Sequence, residues 1–398
     1  MNYGLIGEHL GHSFSKEVHS MLGSYNYEIR EIARDNLDFF MKSKKFKAIN
    51  VTIPYKESVI PYLSYISDEA KAIGSVNTII NKNGELYGYN TDFYGMSALI
   101  SHLKLDIKDK KVVILGTGGT SKTAKAVTAH LGAKTIITVS RTPKESAIGY
   151  DELYRDHSDA DVVINTTPVG MYPNNSQRPI SIDKFANLSG VIDAIYNPIR
   201  TNIVLDARKR GIPAEGGLYM LVAQAIKAAE LFLNTEFSSD VLDEAYRKIL
   251  KDKENIVLIG MPASGKSTVG KILASEMSRD FRDTDELITL SAKKTIRDIF
   301  SEEGEAAFRD LETEAIANVS VQNKMIIATG GGSILREENV DMLKQNSVLF
   351  FINRPLDALL PTADRPLSQS RDDLEKRYNE RYPIYRPARF SRSGKWRK

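Results

Sequence analysis

Residues 260–267 read Gly260, Met261, Pro262, Ala263, Ser264, Gly265, Lys266 and Ser267. A second glycine-rich turn, Gly116, Thr117, Gly118, Gly119, Thr120 and Ser121, stands far upstream. Each follows a short apolar run, 112–115 in one case and 256–259 in the other, and each opens a stretch of helical character. A strand that turns through glycines into a helix offers an anion its backbone N–H groups and the positive end of the helix dipole. The first turn suits a dinucleotide pyrophosphate and the second a triphosphate. The chain is therefore expected to be α/β throughout, with two separate catalytic domains.

Composition narrows this further. A chain of 398 residues is too long for one hydrophobic core, so two or three domains are expected. There is no cysteine, which excludes disulfides, thiolate metal sites and cysteine nucleophiles. A formal charge of +3 is small for this length and argues neither for nor against a nucleic-acid partner. No apolar stretch reaches membrane-spanning length. The first residues read as a strand, not a signal peptide. A cytoplasmic enzyme is expected, with small molecules as partners and neither nucleic acid nor membrane.

Between residues 1 and 92, apolar runs at 3–6, 48–53 and 76–80 alternate with helical patterns at 16–23 and 37–42. This is expected to form an α/β substrate lobe. From 93 to 215, strands at Lys111–Leu115, Thr135–Val139, 161–165 and Gly190–Asp193 are spaced by helices at 122–131 and 151–155. That order is expected of a doubly wound, Rossmann-type domain. Helices at Leu218–Leu233 and 239–251 are expected to return to the first lobe, so that 216–250 completes it. The charged residues 251–254 read as a linker, and 255–398 as a P-loop α/β domain with a parallel sheet.

The end of the strand after the first glycine turn selects its cofactor. An acidic residue there takes the ribose 2′-hydroxyl of NAD. Here the residues are Ser140, Arg141 and Thr142, with Lys144 close by. The planar cation of Arg141 suits a 2′-phosphate, which favours NADP(H). A solvated surface arginine remains the plainer reading of Arg141 alone.

Polar clusters interrupt the apolar runs of the first lobe: Ser13 and Ser15; Asn50, Thr52 and Lys56; Asn77 and Thr78; Asn90, Thr91 and Asp92. Each has a plain alternative. Ser15 suits a helix cap, Asn90 with Asp92 suits a cap or Asx turn, and Lys56 suits a solvated surface. Together they form a set able to surround a polyhydroxylated ring. Their order and spacing resemble shikimate dehydrogenase. So do the runs Asn165, Thr166, Thr167, Pro168 to Met171; Asp193 to Tyr196 and Pro198; and Gly217 to Met220 and Gln224. The resemblance covers about residues 1–250. It implies that Lys56 and Asp92 form the catalytic pair. Ser13, Ser15, Thr52, Asn77, Tyr196 and Gln224 would join them around the substrate. Gly116, Gly118, Gly119, Thr120, Ser121, Ser140, Arg141, Thr142, Lys144, Thr166, Gly217 and Met220 would hold NADP. Relatives that prefer quinate tend to carry threonine at the second serine, so Ser15 favours shikimate.

In the P-loop pattern, backbone N–H groups cradle phosphates, Lys266 reaches the β- and γ-phosphates and the Ser267 hydroxyl binds Mg²⁺. Downstream stand Asp283 and Asp285, then Gly304, Phe308, Arg309 and Glu312, then Gly330, Gly331 and Gly332, then Asp364, Arg365 and Pro366, and last Arg381 and Tyr385. Singly, the two aspartates suit a helix N-terminus, Arg309 suits a pair with Glu312, and the glycines suit a mobile turn. As a series they resemble shikimate kinase over about 254–390. That resemblance implies ATP on Pro262, Ala263, Ser264, Gly265, Lys266, Ser267, Thr268 and Arg365, with Lys266 and Arg365 catalytic. It gives Asp285 the ring hydroxyl, Arg309 and Arg381 the carboxylate, the Gly331 backbone the ring, and Ser267 with Asp283 (through water) the Mg²⁺. It also implies a further strand, an adenine loop and a helix after Arg381. The residues from Arg386 to Lys398 instead form a basic stretch without apolar periodicity, so this domain reads as shortened. The joint expectation is a bifunctional enzyme using NADP(H), ATP and Mg²⁺. The alternative is an active shikimate or quinate dehydrogenase carrying a catalytically defective, kinase-like regulatory domain.

Overall fold

A computed structural model describes residues 1–10, 15–143, 146–359 and 370–388. The chain divides into two compact units. The first comprises Met1–Met171, Gln177–Asn197 and Asp206–Ile249, and the second Tyr172–Ser176, Pro198–Leu205 and Leu250–Lys398.

The first unit holds two sheets. Six strands of one lie in the order Tyr27–Glu31, Tyr3–Gly7, Ala48–Val51, Thr78–Lys82, Glu85–Tyr89, Tyr65–Ile66. The first three are parallel, and Thr78–Lys82 runs antiparallel to both its neighbours. Asn83 and Gly84, both at positive φ, make the tight hairpin into Glu85–Tyr89. Sequence periodicity did not show Tyr27–Glu31, because an edge strand carrying Glu28, Arg30 and Glu31 has little apolar signal. Ile6, Met41, Ile49, Ile79 and Leu86 fill the core on one face of this sheet. On the other, Leu5, Tyr27, Ala48 and Ile80 pack against Ala228 and Phe232 of the helix Leu218–Leu233.

The second sheet is wholly parallel, ordered Ala214–Glu215, Gly190–Asp193, Val162–Asn165, Lys111–Leu115, Thr135–Val139. Its inner strands are buried on both faces and read as continuous apolar runs, as parallel strands do. The helix Leu218–Leu233 packs Ala228 and Phe232 on the first sheet, and its first turn, with Tyr219 and Met220, joins the second core. The helix Ser239–Lys253 departs from expectation. Its Leu242 and Tyr246 pack in the second lobe's core, where Tyr246 meets Tyr219 edge-on.

In the second unit four parallel strands are ordered Asp280–Asp283, Met325–Ala328, Asn255–Ile259, Ser347–Phe351. Residues 251–253, read from the sequence as linker, are the last turn of Ser239–Lys253. Glu254 is buried and pairs with the equally buried Arg200. The Gln345 side chain accepts from the Asn175 amide at 2.5 Å and donates to Asn175 O and Asn202 Oδ1. The second unit is thus completed by two short pieces of earlier chain. Charge and periodicity miss this, because the partners lie up to 170 residues apart. Among the described residues no helix is long and apolar enough to cross a membrane.

Candidate active sites

Thr52 follows the strand Ala48–Val51 and its N–H bonds Ile6 O at 2.9 Å. Lys56 stands just beyond, its own carbonyl accepting from Val76 N at 2.8 Å. The Lys56 ammonium donates to Asp92 Oδ2 at 2.5 Å, and both side chains keep some exposure (27% and 18%), enough to meet a ligand. Asp92 lies in the first turn of Thr91–His102, where the helix dipole favours its charge. Asn90 caps that helix by accepting from Phe93 N–H, and its amide donates to Ser75 O at 2.8 Å. The capping alternative for Asn90 therefore holds, and the cap is what aims Asp92.

A buried polar layer lies beside this pair. Asn77 Oδ1 accepts from Thr91 N–H at 2.8 Å, and Thr91 Oγ1 donates to Gln224 Oε1 at 3.4 Å. Tyr27 donates to Asn50 Oδ1 at 2.7 Å, and the Asn50 amide donates to Thr78 Oγ1. Tyr27 also hydrogen-bonds Ser15. Burial raises its hydroxyl pKa well above the ordinary value, so it stays a neutral donor. Tyr27 escaped the sequence reading; its one signal is a single inward position on an edge strand. His19 stacks on it at 4.0 Å, and burial pushes that imidazole down to about 3. Tyr196 is partly exposed, with burial raising its pKa. Ser13 lies outside the described residues.

At the switch point of the second sheet, Gly116 has φ +106° and its N–H bonds Val139 O at 2.8 Å. A Cβ there would lie 2.9 Å from Thr166 Oγ1, which donates to Leu115 O. By contrast, a Cβ on Gly118 or Gly119 would meet no protein atom within 4 Å. Those two glycines are not required by packing, and their open side suits close approach of a phosphate. Gly119 opens the helix Gly119–His130, with Thr120 and Ser121 following in its first turn. The Val139–Gly116 bond sets the loop of Ser140, Arg141 and Thr142 beside this turn, and Ser140 Oγ accepts from Thr142 N–H. Arg141 is exposed. Asn165 and Asp193, both fully buried, tie two strand ends together at 3.0 Å. The Gly217 N–H bonds Ile195 O, and a Cβ there would strike Ala194 O. Met220 is buried in the second core. Lys144 lies outside the described residues.

In the second unit the glycine-rich turn follows the strand Asn255–Ile259 and opens the helix Lys266–Met277. Gly265 has φ +93° and no atom near a would-be Cβ. The Lys266 ammonium bonds Gly260 O at 3.0 Å and Met261 O at 2.9 Å. Ser267 donates to Asp283 Oδ2 at 2.5 Å, and Asp283 Oδ1 caps the next helix by accepting from Asp285 N–H. The Ser264 hydroxyl is buried with no partner among the described residues. Such a cradle, with an orphaned hydroxyl and open glycines, fits a polyphosphate. Pro262 and Ala263 lie in the turn and Thr268 in the helix's first turn.

The three glycines 330–332 lie against charged side chains. A Cβ on Gly330 would come within 2.8 Å of both Glu312 Oε1 and Asp285 Oδ1, and one on Gly332 within 2.2 Å of Arg309. Arg309 pairs with Glu312 at 2.8 Å and Glu305 at 3.0 Å, so the helix-face alternative also holds for it. Burial alone would lower the Arg309 pKa, but the charges and hydrogen bonds of Glu312 and Glu305 together outweigh it and the net shift is upward. Arg381 donates to Gly331 O at 3.0 Å, and burial lowers its pKa. Glu312, fully buried, also accepts from Ser333 at 2.7 Å. It was noticed in the sequence only as a helix-face partner, whereas it anchors one arginine and one glycine turn together. Arg365 lies outside the described residues.

The first unit has the architecture of a dinucleotide-dependent dehydrogenase with a separate substrate lobe. Residues 5–79 match the family model "Shikimate dehydrogenase substrate binding domain", and residues 262–395 match "Shikimate kinase". "Shikimate dehydrogenase (NADP(+))" of Clostridium beijerinckii is 39% identical over 261 residues, covering 61% of this chain and 96% of that protein. The same-named protein of Methanosphaera stadtmanae is 36% identical, covering 62% and 96%. Among solved structures, a chorismate mutase/shikimate 5-dehydrogenase fusion protein from Clostridium acetobutylicum is similar at TM-score 0.59 and 35% identity, over 62% of this chain and 96% of that one. Shikimate 5-dehydrogenase from Thermus thermophilus, in complex with NADP(H) and shikimate, is similar at TM-score 0.56 and 25% identity, over 62% and 99%. The chain belongs to the shikimate dehydrogenase family, and it carries a shikimate kinase domain after the dehydrogenase.

Proposed function

We propose that the chain is a bifunctional, cytoplasmic enzyme: it reduces 3-dehydroshikimate to shikimate and then phosphorylates the 3-hydroxyl of shikimate. The observation that carries the reading is the coexistence of two sets of reactive groups in one chain. One is the Lys56–Asp92 pair beside the Asn77, Thr91 and Gln224 layer. The other is the Lys266 cradle with Ser267–Asp283, near which Arg309, Arg381 and Asp285 surround a glycine turn.

In the first site Lys56 donates the proton that the developing alkoxide requires. Asp92 holds that ammonium in place. Ser13, Ser15, Thr52, Asn77 and Gln224 bind the ring's carboxylate and hydroxyls, with Tyr196 near the ring. Gly116, Gly118, Gly119, Ser140, Arg141, Thr142, Lys144, Thr166 and Gly217 would hold NADPH, which would supply the hydride. In the second site Asp285 holds and deprotonates the ring hydroxyl, and Arg309 and Arg381 grip the carboxylate. Lys266 and Arg365 neutralise charge on the transferred phosphoryl group of ATP, and Ser267, with Asp283 acting through water, would hold Mg²⁺.

The test is mass spectrometry of the products formed from 3-dehydroshikimate with NADPH and MgATP, each omitted in turn. Shikimate 3-phosphate should form only with both present, and shikimate with NADPH alone. Shikimate that is never phosphorylated by MgATP would leave a dehydrogenase with a kinase-like binding domain.

A further inference from the structure

One buried tyrosine lies between the two ligand loops of the second unit. Tyr385 Oη is 2.9 Å from Gly260 O, the first carbonyl of the phosphate loop, and 2.5 Å from Gly331 O, in the glycine turn beside the arginines. The loops themselves touch there, since a Cβ on Gly331 would fall 2.7 Å from Pro262 Cδ. The tyrosine ring is fully buried and stacks on Phe351 at 5.0 Å and 12°. Phe351 ends the strand paired with Asn255–Ile259, so the ring is anchored to the sheet that launches the phosphate loop.

The count of hydrogens at this point is unequal. A tyrosine hydroxyl has one hydrogen to donate, and here it faces two carbonyl oxygens. Each carbonyl also has a charged donor, Lys266 on Gly260 O at 3.0 Å and Arg381 on Gly331 O at 3.0 Å. A polyphosphate attracts Lys266 away from Gly260 O. A buried carbonyl left without a donor is penalised, so the single hydroxyl hydrogen turns to Gly260 O. Gly331 O then depends on Arg381 alone, which fixes that guanidinium for a carboxylate.

We propose that Tyr385 is a positioning residue that couples nucleotide binding at the phosphate loop to carboxylate binding at Arg381, by moving one hydrogen bond between Gly260 O and Gly331 O. This rests on the shikimate kinase reading of the second unit. The sign is positive: nucleotide tightens the binding of the hydroxylated ring acid, and the acid tightens nucleotide by the same factor. The size is about fivefold, that of one neutral hydrogen bond.

The experiment is calorimetric titration of the full chain with shikimate, without and with saturating Mg²⁺ and a non-hydrolysable ATP analogue. Lys56→Met, Asp92→Asn and Gln224→Leu, which remove three groups that face the ring in the first unit, weaken that site in every sample, and the tighter isotherm reports the second unit. The background protein should bind shikimate about fivefold more tightly with the analogue. Tyr385→Phe keeps the ring and its stacking and should bring that ratio close to one. A merely structural tyrosine would change both affinities and leave their ratio intact, which overturns the proposal. Lys266→Met offers a second route that spares the tyrosine. By removing the lysine from Gly260 O, it should raise nucleotide-free shikimate affinity by the same factor, and an unchanged affinity also overturns the proposal. Failure of the background protein to bind shikimate at all defeats the kinase reading and the coupling with it. A background ratio of one with binding intact defeats the coupling alone.

Discussion

Two single-methyl substitutions in the first glycine turn separate what the protein needs there from what the ligand needs. In Gly116→Ala the backbone stays at φ +106°, a region that costs a residue with a Cβ about 1–3 kcal/mol. The new methyl also lies 2.9 Å from Thr166 Oγ1. That hydroxyl donates to Leu115 O, so displacing it forfeits a further ~1 kcal/mol. The sum, about 2–4 kcal/mol, corresponds to a loss of roughly 30-fold to 900-fold in NADPH affinity if the turn must regain its shape to bind. In Gly118→Ala, φ is −80° and the methyl meets no protein atom within 4 Å. Stability should therefore hold while NADPH affinity falls, because the methyl occupies the approach of a phosphate. The assay is fluorescence titration with NADPH beside thermal unfolding, with phosphorylation of shikimate by the same sample as an internal control. If Gly118→Ala binds NADPH as the unsubstituted chain does, the cradle argument is wrong.

Other consequences are checked more simply. Lys56→Met should lower the turnover of 3-dehydroshikimate reduction by about 10²–10⁴-fold, and Lys266→Ala should abolish phosphorylation. Each should leave the other reaction running, so loss of both activities in a folded protein would refute two independent sites. His19 is held neutral at about 3 against an ordinary 6.5, so the unfolded chain takes up a proton that the native one refuses. Its contribution is complete above pH ~6.5 and falls as pH is lowered, by up to about 1.4 kcal/mol per pH unit. Unfolding of His19→Gln should show a flatter pH profile between 6.5 and 5, and an identical slope would contradict this. Arg200→Met takes the guanidinium away from the buried Glu254 carboxylate and should destabilise the second unit by about 3–5 kcal/mol. Arg200→Met with Glu254→Leu should recover most of that in calorimetry.

Much of the molecule was legible from local pattern. The inner strands Lys111–Leu115, Val162–Asn165, Asn255–Ile259 and Met325–Ala328 are largely apolar runs, and the glycine turns that follow them need nothing distant to be recognised. Edge and hairpin strands were not legible. Tyr27–Glu31 is half charged, and Ala214–Glu215 is two residues long. The helix Ser239–Lys253 has a clear apolar stripe, but a stripe does not say which core receives it, and it joins the second lobe.

The sequence alone determined the kinds of chemistry: two anion cradles, a lysine and an aspartate for proton transfer, arginines for a carboxylate. Those follow from residue type and from backbone geometry set within a few positions. Tertiary structure alone decided which groups meet. Lys56 and Asp92 are 36 residues apart, Ser267 and Asp283 16, and Tyr385 and Gly260 125. Burial of the apolar faces between such residues draws them together, and a buried polar group must find a partner among whatever that packing brings near. No local pattern carries that information.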